Sequence, residues 1–363
     1  MNKRTTHVIA ATFALIILTL LSVNLAYGQA APVFRIGVLD DQQGHIANGA
    51  RLAVHDINAL GGVRGADGTQ FQLELIVQPI SGTNITNTIA SLRDASLIAV
   101  LGPESDSAVK DNLAALQALN VPVLTPATGD TTLTQDQTGR LFRTRAAQLL
   151  QGRALATVLI NDYSVKRFAT VQLDSDLESA AGVVGFTISL TNLNVTPQVA
   201  LQVLTDTALA DASQQLISNS LEAVVAYGDP TRAGKLLTSL RTAGFKGQFV
   251  YNQADDAAFQ SAAGVYVLGT YAATTWPLTA ADDAGRLFRD KYIQLYAALP
   301  GPIEAASYDA VTLLSAAINK PGELQTNLTQ LDNIGGVQGT LLPAQLQKGE
   351  TSNNVAVVQL GEF

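Results

Sequence analysis

Cysteine is absent from all 363 residues. That one absence excludes disulfides, thiol nucleophiles, Cys-ligated metals and a lipid-modified cysteine at an export signal. Histidine is nearly absent too: His7, His45 and His55 are the whole supply. No His-x-x-x-His pair and no Gly-x-Ser-x-Gly turn exists, so the commonest zinc and serine-hydrolase signatures are missing. Charge is sparse at 14%, and basic residues are outnumbered, with 22 Lys and Arg against 30 Asp and Glu. A chain that is net negative at −8 lacks the basic patches that neutralise phosphates, so nucleic acid is not an expected partner. Pro/Ser-rich linkers, low-complexity tracts and 20–50-residue repeats are lacking as well.

One long apolar run does occur. Lys3 and Arg4 precede Val8 to Leu21, broken only by Thr12 and Thr19, and small residues follow at Ala26-Tyr27-Gly28 and Gly28-Gln29-Ala30. This reads as a signal peptide over residues 1–30, cleaved on export; an uncleaved anchor is the alternative. No second run approaches the roughly 18 residues a spanning helix needs. The remaining 333 residues keep 20 basic and all 30 acidic side chains. That length suits two lobes of about 150 residues better than one core.

Strand and helix patterns alternate along the mature chain. The spacing predicts strands at Phe34–Leu39, Phe71–Val77, Leu97–Leu101 and Val121–Leu124, with helices at Ala47–Leu60, Thr83–Asp94 and Asp106–Leu119 between them. After an irregular stretch, Thr125 to Arg145, helix resumes at Leu149–Ile160. Strands are predicted at Phe168–Leu173, Val183–Leu190, Ala223–Ala226, Gln248–Tyr251, Val265–Leu268 and Val355–Leu360. Helices are predicted near Ala208–Ser218, Thr231–Ala243, Ala280–Leu299 and Ala305–Ile318. Alternation of this kind means α/β architecture with parallel sheets and crossover helices.

The most specific wording is Asn48-Gly49-Ala50-Arg51-x-Ala53-x-x-Asp56-Ile57-Asn58-Ala59-x-Gly61-Gly62. Its apolar residues, Ala50, Ala53, Val54, Ile57 and Leu60, make one helical stripe, and Gly61-Gly62 ends it. Placed after the first strand, it resembles the first helix of the branched-chain amino-acid-binding family, the type I periplasmic binding proteins of ABC importers. Five further stretches resemble that family in the same order. They are Val100 to Ser107 with its Gly-Pro turn, and Val121 to Asp130 followed by Leu133-Thr134. Then come Phe142-Arg143-Thr144, the run Leu-Arg-x-Ala-Gly-Phe-Lys-Gly-Gln-Phe ending at Phe249, and Ser307-Tyr308-Asp309-Ala310-Val311. The resemblance spans the mature chain. It implies two Rossmann-like lobes, each a parallel sheet flanked by helices, joined by three crossovers. Residues 32–145 plus 273–329 are then expected in one lobe and 146–272 plus 330–363 in the other. It further implies an exported, non-lipoprotein, monomeric solute-binding protein. Such a protein has a small-molecule ligand, an ABC permease partner, no cofactor and no catalytic chemistry. A sensor of the same fold, signalling to a membrane receptor, is the rival.

In open α/β sheets, ligands sit beyond the carboxyl ends of strands. Ser105, Asp106 and Ser107 fall there at a helix start, where they either cap the helix or meet the ligand. Ala127, Thr128 and Gly129 lie across the same strand ends, either as ligand contacts or as an ordinary turn. Tyr227 and Gln253, at two strand ends of the second lobe, are further candidates, with Trp276 at the second crossing. Three departures from the family bear on specificity. The loop Asp40 to His45 is short. Asp106 stands where amino-acid binders carry a carboxylate-binding Ser. Gln253 stands where they carry the acid that meets the ligand ammonium. In addition, Asp174-Ser175-Asp176-Leu177 replaces a Tyr-Gly-x-Gly stretch, so the following helix is expected to be truncated. Together these favour a neutral or cationic ligand, an amide or amine held by Asp106, Thr128 and Gln253. Gly228 to Lys235 superficially resembles a phosphate loop. Its spacing is one residue too long, and Leu236 stands where a magnesium-binding hydroxyl belongs.

Protein recovered from the native host is expected to begin between Gln29 and Pro32 and to stay soluble without detergent. N-terminal sequencing decides this, and a start at Met1 in the membrane fraction would make the apolar run an anchor.

Overall fold

The structure, a computed structural model, describes residues 32–361 apart from 83, 130–135, 255, 280–281 and 347–348. The signal segment, Asp130 with Leu133-Thr134, and Asp255 therefore lie outside the described residues.

The first sheet holds β1 (Val33–Leu39), β2 (Val63–Arg64), β3 (Gln70–Gln78), β4 (Leu97–Leu101), β5 (Val123–Thr125) and β6 (Leu141–Arg143) in the order β2-β3-β1-β4-β5-β6. All pairs are parallel except β2 with β3. The second sheet holds β7 (Phe168–Gln172), β8 (Val199–Gln202), β9 (Ala223–Tyr227), β10 (Gln248–Tyr251), β11 (Tyr271–Thr274) and a last strand, Ala356–Gln359. Its order is β8-β7-β9-β10-β11 and then that last strand, which pairs antiparallel with β11. Each sheet winds outward both ways from its first strand. The order therefore reverses between β1 and β4 in one lobe and between β7 and β9 in the other, and a crevice opens beyond those strand ends.

Apolar residues bury these sheets under helices on both faces. The first lobe's core joins Ile36, Val38 and Leu101 to Ala47, Ala50 and Ala53 of helix α1 (His45–Ala59). Val311 and Leu314 of the long late helix Pro302–Ile318 complete it. The second lobe's core gathers Val171, Val224, Leu236, Leu240 and Phe249. Three extended segments run between the lobes side by side. Thr144, Thr275 and Thr351 are buried in them. Arg145 Nε donates to Thr275 Oγ1 at 3.3 Å, and Thr351 Oγ1 donates to the Arg143 carbonyl at 2.9 Å.

Four sequence expectations are corrected. Val183–Leu190 is not a strand and the helix there is not truncated: Leu177–Asn192 forms one 16-residue helix, α6. Its β-branched run reads as strand locally, but Asp176 caps the helix by accepting from Ser179 N at 2.8 Å. Its glycines admit the helix Gln148–Thr157, with Gly185 against Leu149 and Gly152 against the Phe186 backbone. Tertiary packing thus overrides β-propensity. Val265–Leu268 is not a strand either. Gly264–Val267 is a 3-10 turn in which Val265 is 82% exposed, and the strand begins at Tyr271. The third correction concerns residues 330–346, expected in the second lobe. The strands Ile334–Gly336 and Gly339–Leu341 pair there as a hairpin, and Leu331 and Leu341 lie in the same apolar cluster as Ile36 and Val38, so the last crossing comes after this hairpin. The expected helix over Asp106–Leu119 is broken at Asn112 into Asp106–Asp111 and Leu113–Gln117.

Asp309 holds that hairpin in place. The residue is wholly buried. Its carboxylate accepts from Val337 N at 2.7 Å and Gln338 N at 3.0 Å, and Gln338 Nε2 reaches both it and the Thr144 carbonyl. Burial raises the acid to about 7 despite those donors. The unfolded chain ionises near 3.8, so between these values the folded state binds the extra proton and stability falls as pH rises. Thermal melts are expected to lose stability from pH 4 to 7, and Asp309→Asn to flatten that slope. Asp309→Ala strands buried N–H groups and is expected to cost about 2–4 kcal/mol in urea melts, with the m-value unchanged.

Candidate functional site: the cleft between two sheet switch points

Every predicted residue on the first-lobe side sits beyond β4 or β5, but several are engaged within the protein. Ser105 is the N-cap of the helix Asp106–Asp111, its Oγ accepting from Ala108 N at 3.2 Å. Asp106 does not turn outward. It is 2% exposed, and both its oxygens accept from Gly129 N, at 2.8 and 2.9 Å. That N–H is held by the protein's own carboxylate. Thr125 ties the same loop down by donating to the Pro103 carbonyl at 2.7 Å, and Ala127 N donates to Thr125 Oγ1 at 3.1 Å. Ser107 is only partly buried.

Thr128 crosses the cleft. Its hydroxyl donates to Glu178 Oε1, in the first turn of α6, at 3.2 Å. Gln148 Nε2 donates to Thr128 Oγ1 at 3.0 Å and to Glu178 Oε1 at 3.1 Å. Thr128, Glu178 and Gln148 thus form a polar contact between the lobes, with Gln148 N also donating to the Thr128 carbonyl at 2.9 Å and the helix Asp106–Asp111 packed against α6. Burial raises the Glu178 carboxyl, Arg145 opposes that rise, and Asp106 adds to it.

On the second-lobe side the predicted residues do not converge in the same way. Tyr227 is 2% exposed, with its ring against Gly182 of α6, so it lines no open wall. Its hydroxyl has no partner among the described residues, and desolvation raises its pKa. Gln253 is exposed in the turn after β10, where its Oε1 accepts from Tyr251 OH at 3.2 Å. Trp276 is buried against Leu52, Phe288 and Val337 in a first-lobe cluster, away from any open surface.

Sequence reasoning missed Gln148, Glu178 and Arg143 as site residues. Arg143 is 2% exposed; its Nη1 donates to the carbonyls of Thr128 and Gly129 at 3.0 and 2.6 Å, and its other nitrogens pair with Glu350. The Phe142-Arg143-Thr144 wording marked the crossing but not this grip. The short first loop is held by its own polar contacts. Asp40 accepts from Asp41 N and Ala47 N, Asp41 accepts from Ser81, and His45 stands 3.4 Å from Glu104. That hydrogen bond pushes His45 up to about 9. Asp106 and Asp176 bring like charge to Glu178, and Glu104 does the same to Asp40. Among the described residues, no three His, Asp or Glu side chains are grouped to hold a metal ion.

Two mostly parallel lobes with facing switch points and three crossings define a type I periplasmic-binding-protein fold. The family model for periplasmic binding proteins matches residues 34–361, and the chain belongs to that family. Many solved structures share the fold. The branched-chain amino acid transporter substrate binding protein LivJ of Streptococcus pneumoniae, in complex with isoleucine, is 22% identical with a TM-score of 0.70, over 90% of this chain and 99% of that one. The leucine binding protein LivK of Thermotoga maritima is 18% identical with a TM-score of 0.72, over 91% and 100%. A solute binding protein of R. palustris in complex with benzoate is 17% identical with a TM-score of 0.74, over 91% and 94%. Comparison with curated protein sequences finds no match. The family and these neighbours are substrate-binding proteins, not enzymes. The family implies an extracytoplasmic location, and among the described residues no helix is long and apolar enough to cross a membrane.

Asp106→Ala is expected to free Gly129 N–H and loosen the site loop, costing about 1–3 kcal/mol in urea denaturation, with Asp106→Asn costing less. Gly129→Ala would set a Cβ 2.6 Å from Asp106 Oδ1 and is expected to be destabilising in the same assay. Equal stability of all three variants with wild type would remove the Asp106–Gly129 contact as a structural element.

Proposed function

We propose that this protein is the exported solute-binding component of an ABC importer, capturing a small polar ligand between its lobes. The ligand class is an amino acid, an amide or a related compound. The observation that carries the reading is the Thr128–Glu178 hydrogen bond, which joins the two switch points directly. A ligand filling that crevice touches both lobes and stabilises the closed arrangement in proportion to its preference for it. Ligand contact falls to Ser107, Ala127, Thr128 and Gly129 from the first lobe and to Gln253 from the second. Ser105, Asp106 and Tyr227 shape the site from behind. In the working division, the lobes change at about 145 and 273, with the last change moved beyond the hairpin at 334–341. The protein acts as a monomer and hands its ligand to a membrane permease.

A thermal-shift screen of the mature protein against amino acids, amides, short peptides, polyamines and aromatic acids tests this reading. A ligand at 100 times its dissociation constant should add about 2.7 kcal/mol, and small-angle scattering should show contraction. A ligand that binds without contracting the protein, or no ligand at all, counts against capture by closure. Deleting the gene should then abolish uptake of that ligand. Intact uptake with a lost cellular response would move the protein to the sensor class.

A further inference from the structure

We propose that Glu178, with Oε1 of Gln148 beside it, recognises a cationic N–H group of the ligand: an ammonium, amidinium or guanidinium. This rests on the reading of the cleft as a ligand site and names the ligand's chemical class.

Position is the first argument. Glu178 lies at the start of α6, just beyond the carboxyl end of β7, where the second sheet reverses. It meets Thr128 of the opposite lobe, so a group held by Glu178 is held between the lobes. Gln253, the residue aligned with the family's ammonium-binding acid, is neutral and exposed. The acid of this cleft comes from a different element.

Unfilled acceptors are the second. Both hydrogen bonds to Glu178 fall on Oε1, one from Thr128 and one from Gln148. Oε2 accepts none among the described residues. Gln148 is 1% exposed, its Nε2 is committed to Thr128 and Glu178, and its Oε1 is buried without a donor. That oxygen belongs to the same amide whose nitrogen donates to Glu178 at 3.1 Å. A buried acceptor left unmatched is costly, and a donor that fills it gains correspondingly. A ligand carboxylate or ester brings only acceptors to this place. An ammonium or amidinium brings two or three donors and a compensating charge.

Charge balance is the third argument. Asp106 and Asp176 flank Glu178 with like charge, and Arg145 is the opposing cation. Arg145 is occupied elsewhere, donating to Thr275 Oγ1 at 3.3 Å and to the Pro126 carbonyl at 3.4 Å. No ion pair joins it to Glu178 among the described residues. A first-turn glutamate is also favoured by the helix dipole. The dipole accounts for the charge but leaves the buried Oε1 of Gln148 without a donor.

Calorimetry on the mature protein with matched probes decides between the charge classes. One set keeps the leucine frame: isoamylamine, isovaleramide, isovalerate and leucine. A second keeps the aromatic frame: benzylamine, benzamidine, benzamide and benzoate. Putrescine, agmatine and calcium chloride complete the panel. In at least one frame the cation is expected to bind tenfold or more tighter than its neutral and anionic counterparts. Glu178→Gln is expected to abolish that preference, and Glu178→Asp to keep it at reduced affinity. Circular dichroism and melting temperature confirm that each variant is folded. Tighter binding of an anion or zwitterion, a preference for calcium, or a cation preference that survives Glu178→Gln overturns the inference and leaves ligand capture standing. If no probe of any charge binds the wild type, both readings fall.

Discussion

A guanidinium buried at the seam between the lobes organises much of this protein. Arg143 ends the last strand of the first sheet, where solvent cannot reach it. An arginine is kept charged at any ordinary pH, so it can be buried only if every donor finds an acceptor. Glu350, on the third crossing segment, takes two of its nitrogens, and the carbonyls of Thr128 and Gly129 take the third. One side chain thereby fixes the third crossing to the first and fixes the loop at 128–129 to both. The backbone repeats the connection, with Arg143 N donating to the Gly349 carbonyl at 2.7 Å and Thr351 N to the Arg143 carbonyl at 3.2 Å. Removing either charge would strand the other in a dry place, typically a loss of about 3–5 kcal/mol.

The hinge and the site are consequently one construction. Gly129 donates its N–H to Asp106 and offers its carbonyl to Arg143. Its backbone thus stands between a buried carboxylate and a buried guanidinium, which compensate each other's charge through the peptide. Thr128, the next residue back, gives its carbonyl to Arg143 and its hydroxyl to the other lobe. Movement of the lobes about the crossings must therefore make or break the Thr128–Glu178 contact while the Arg143 grip persists. Arg143 and Asp106 hold the loop at 127–129 in shape, while its polar contact with the second lobe runs through the Thr128 hydroxyl and carbonyl.

The fold was legible because its signal is repeated. Leu97–Leu101 and Gln248–Tyr251 match the sequence expectation residue for residue, since short apolar runs between helices leave a buried parallel strand little choice. Reading failed where neighbours in space outvote neighbours in sequence. Val183 to Leu190 carries strand-forming residues. Their place is decided by an aspartate cap seven residues ahead and by glycines that admit a second helix. The site was half legible for the same reason. Local wording marked Ser105 to Ser107 and Ala127 to Gly129, since both stretches follow strand ends. The partners of those residues come from far along the chain: Glu178 is 50 positions from Thr128, and Glu350 is 207 from Arg143. No local pattern announces such pairs. Asp106 shows the converse: its charge was legible, but its engagement with a backbone N–H 23 residues away was not.

This division of labour also bears on the energetics of closure. Three hydrogen bonds join Thr128 to the second lobe: its hydroxyl donates to Glu178, Gln148 Nε2 donates to that hydroxyl, and Gln148 N donates to its carbonyl. Exchanged for bonds to water on opening, each is worth only about 0.5–1.5 kcal/mol net. Gathering carboxylates in a closing cleft opposes that gain, because burial disfavours the charge on Glu178 and Asp106 lies close enough to add to the effect. The polar contact between the lobes is therefore modest in energy. Shifting a two-state equilibrium from 1:99 to 99:1 needs only about 5.5 kcal/mol of differential affinity. A ligand that supplies opposite charge to Glu178 contributes to closure twice. On the proposed reading it adds contacts of its own and offsets the like charge that Asp106 and Asp176 bring to Glu178. Specificity and closure then draw on the same carboxylate, so a ligand of the wrong charge would bind poorly and also fail to close the lobes.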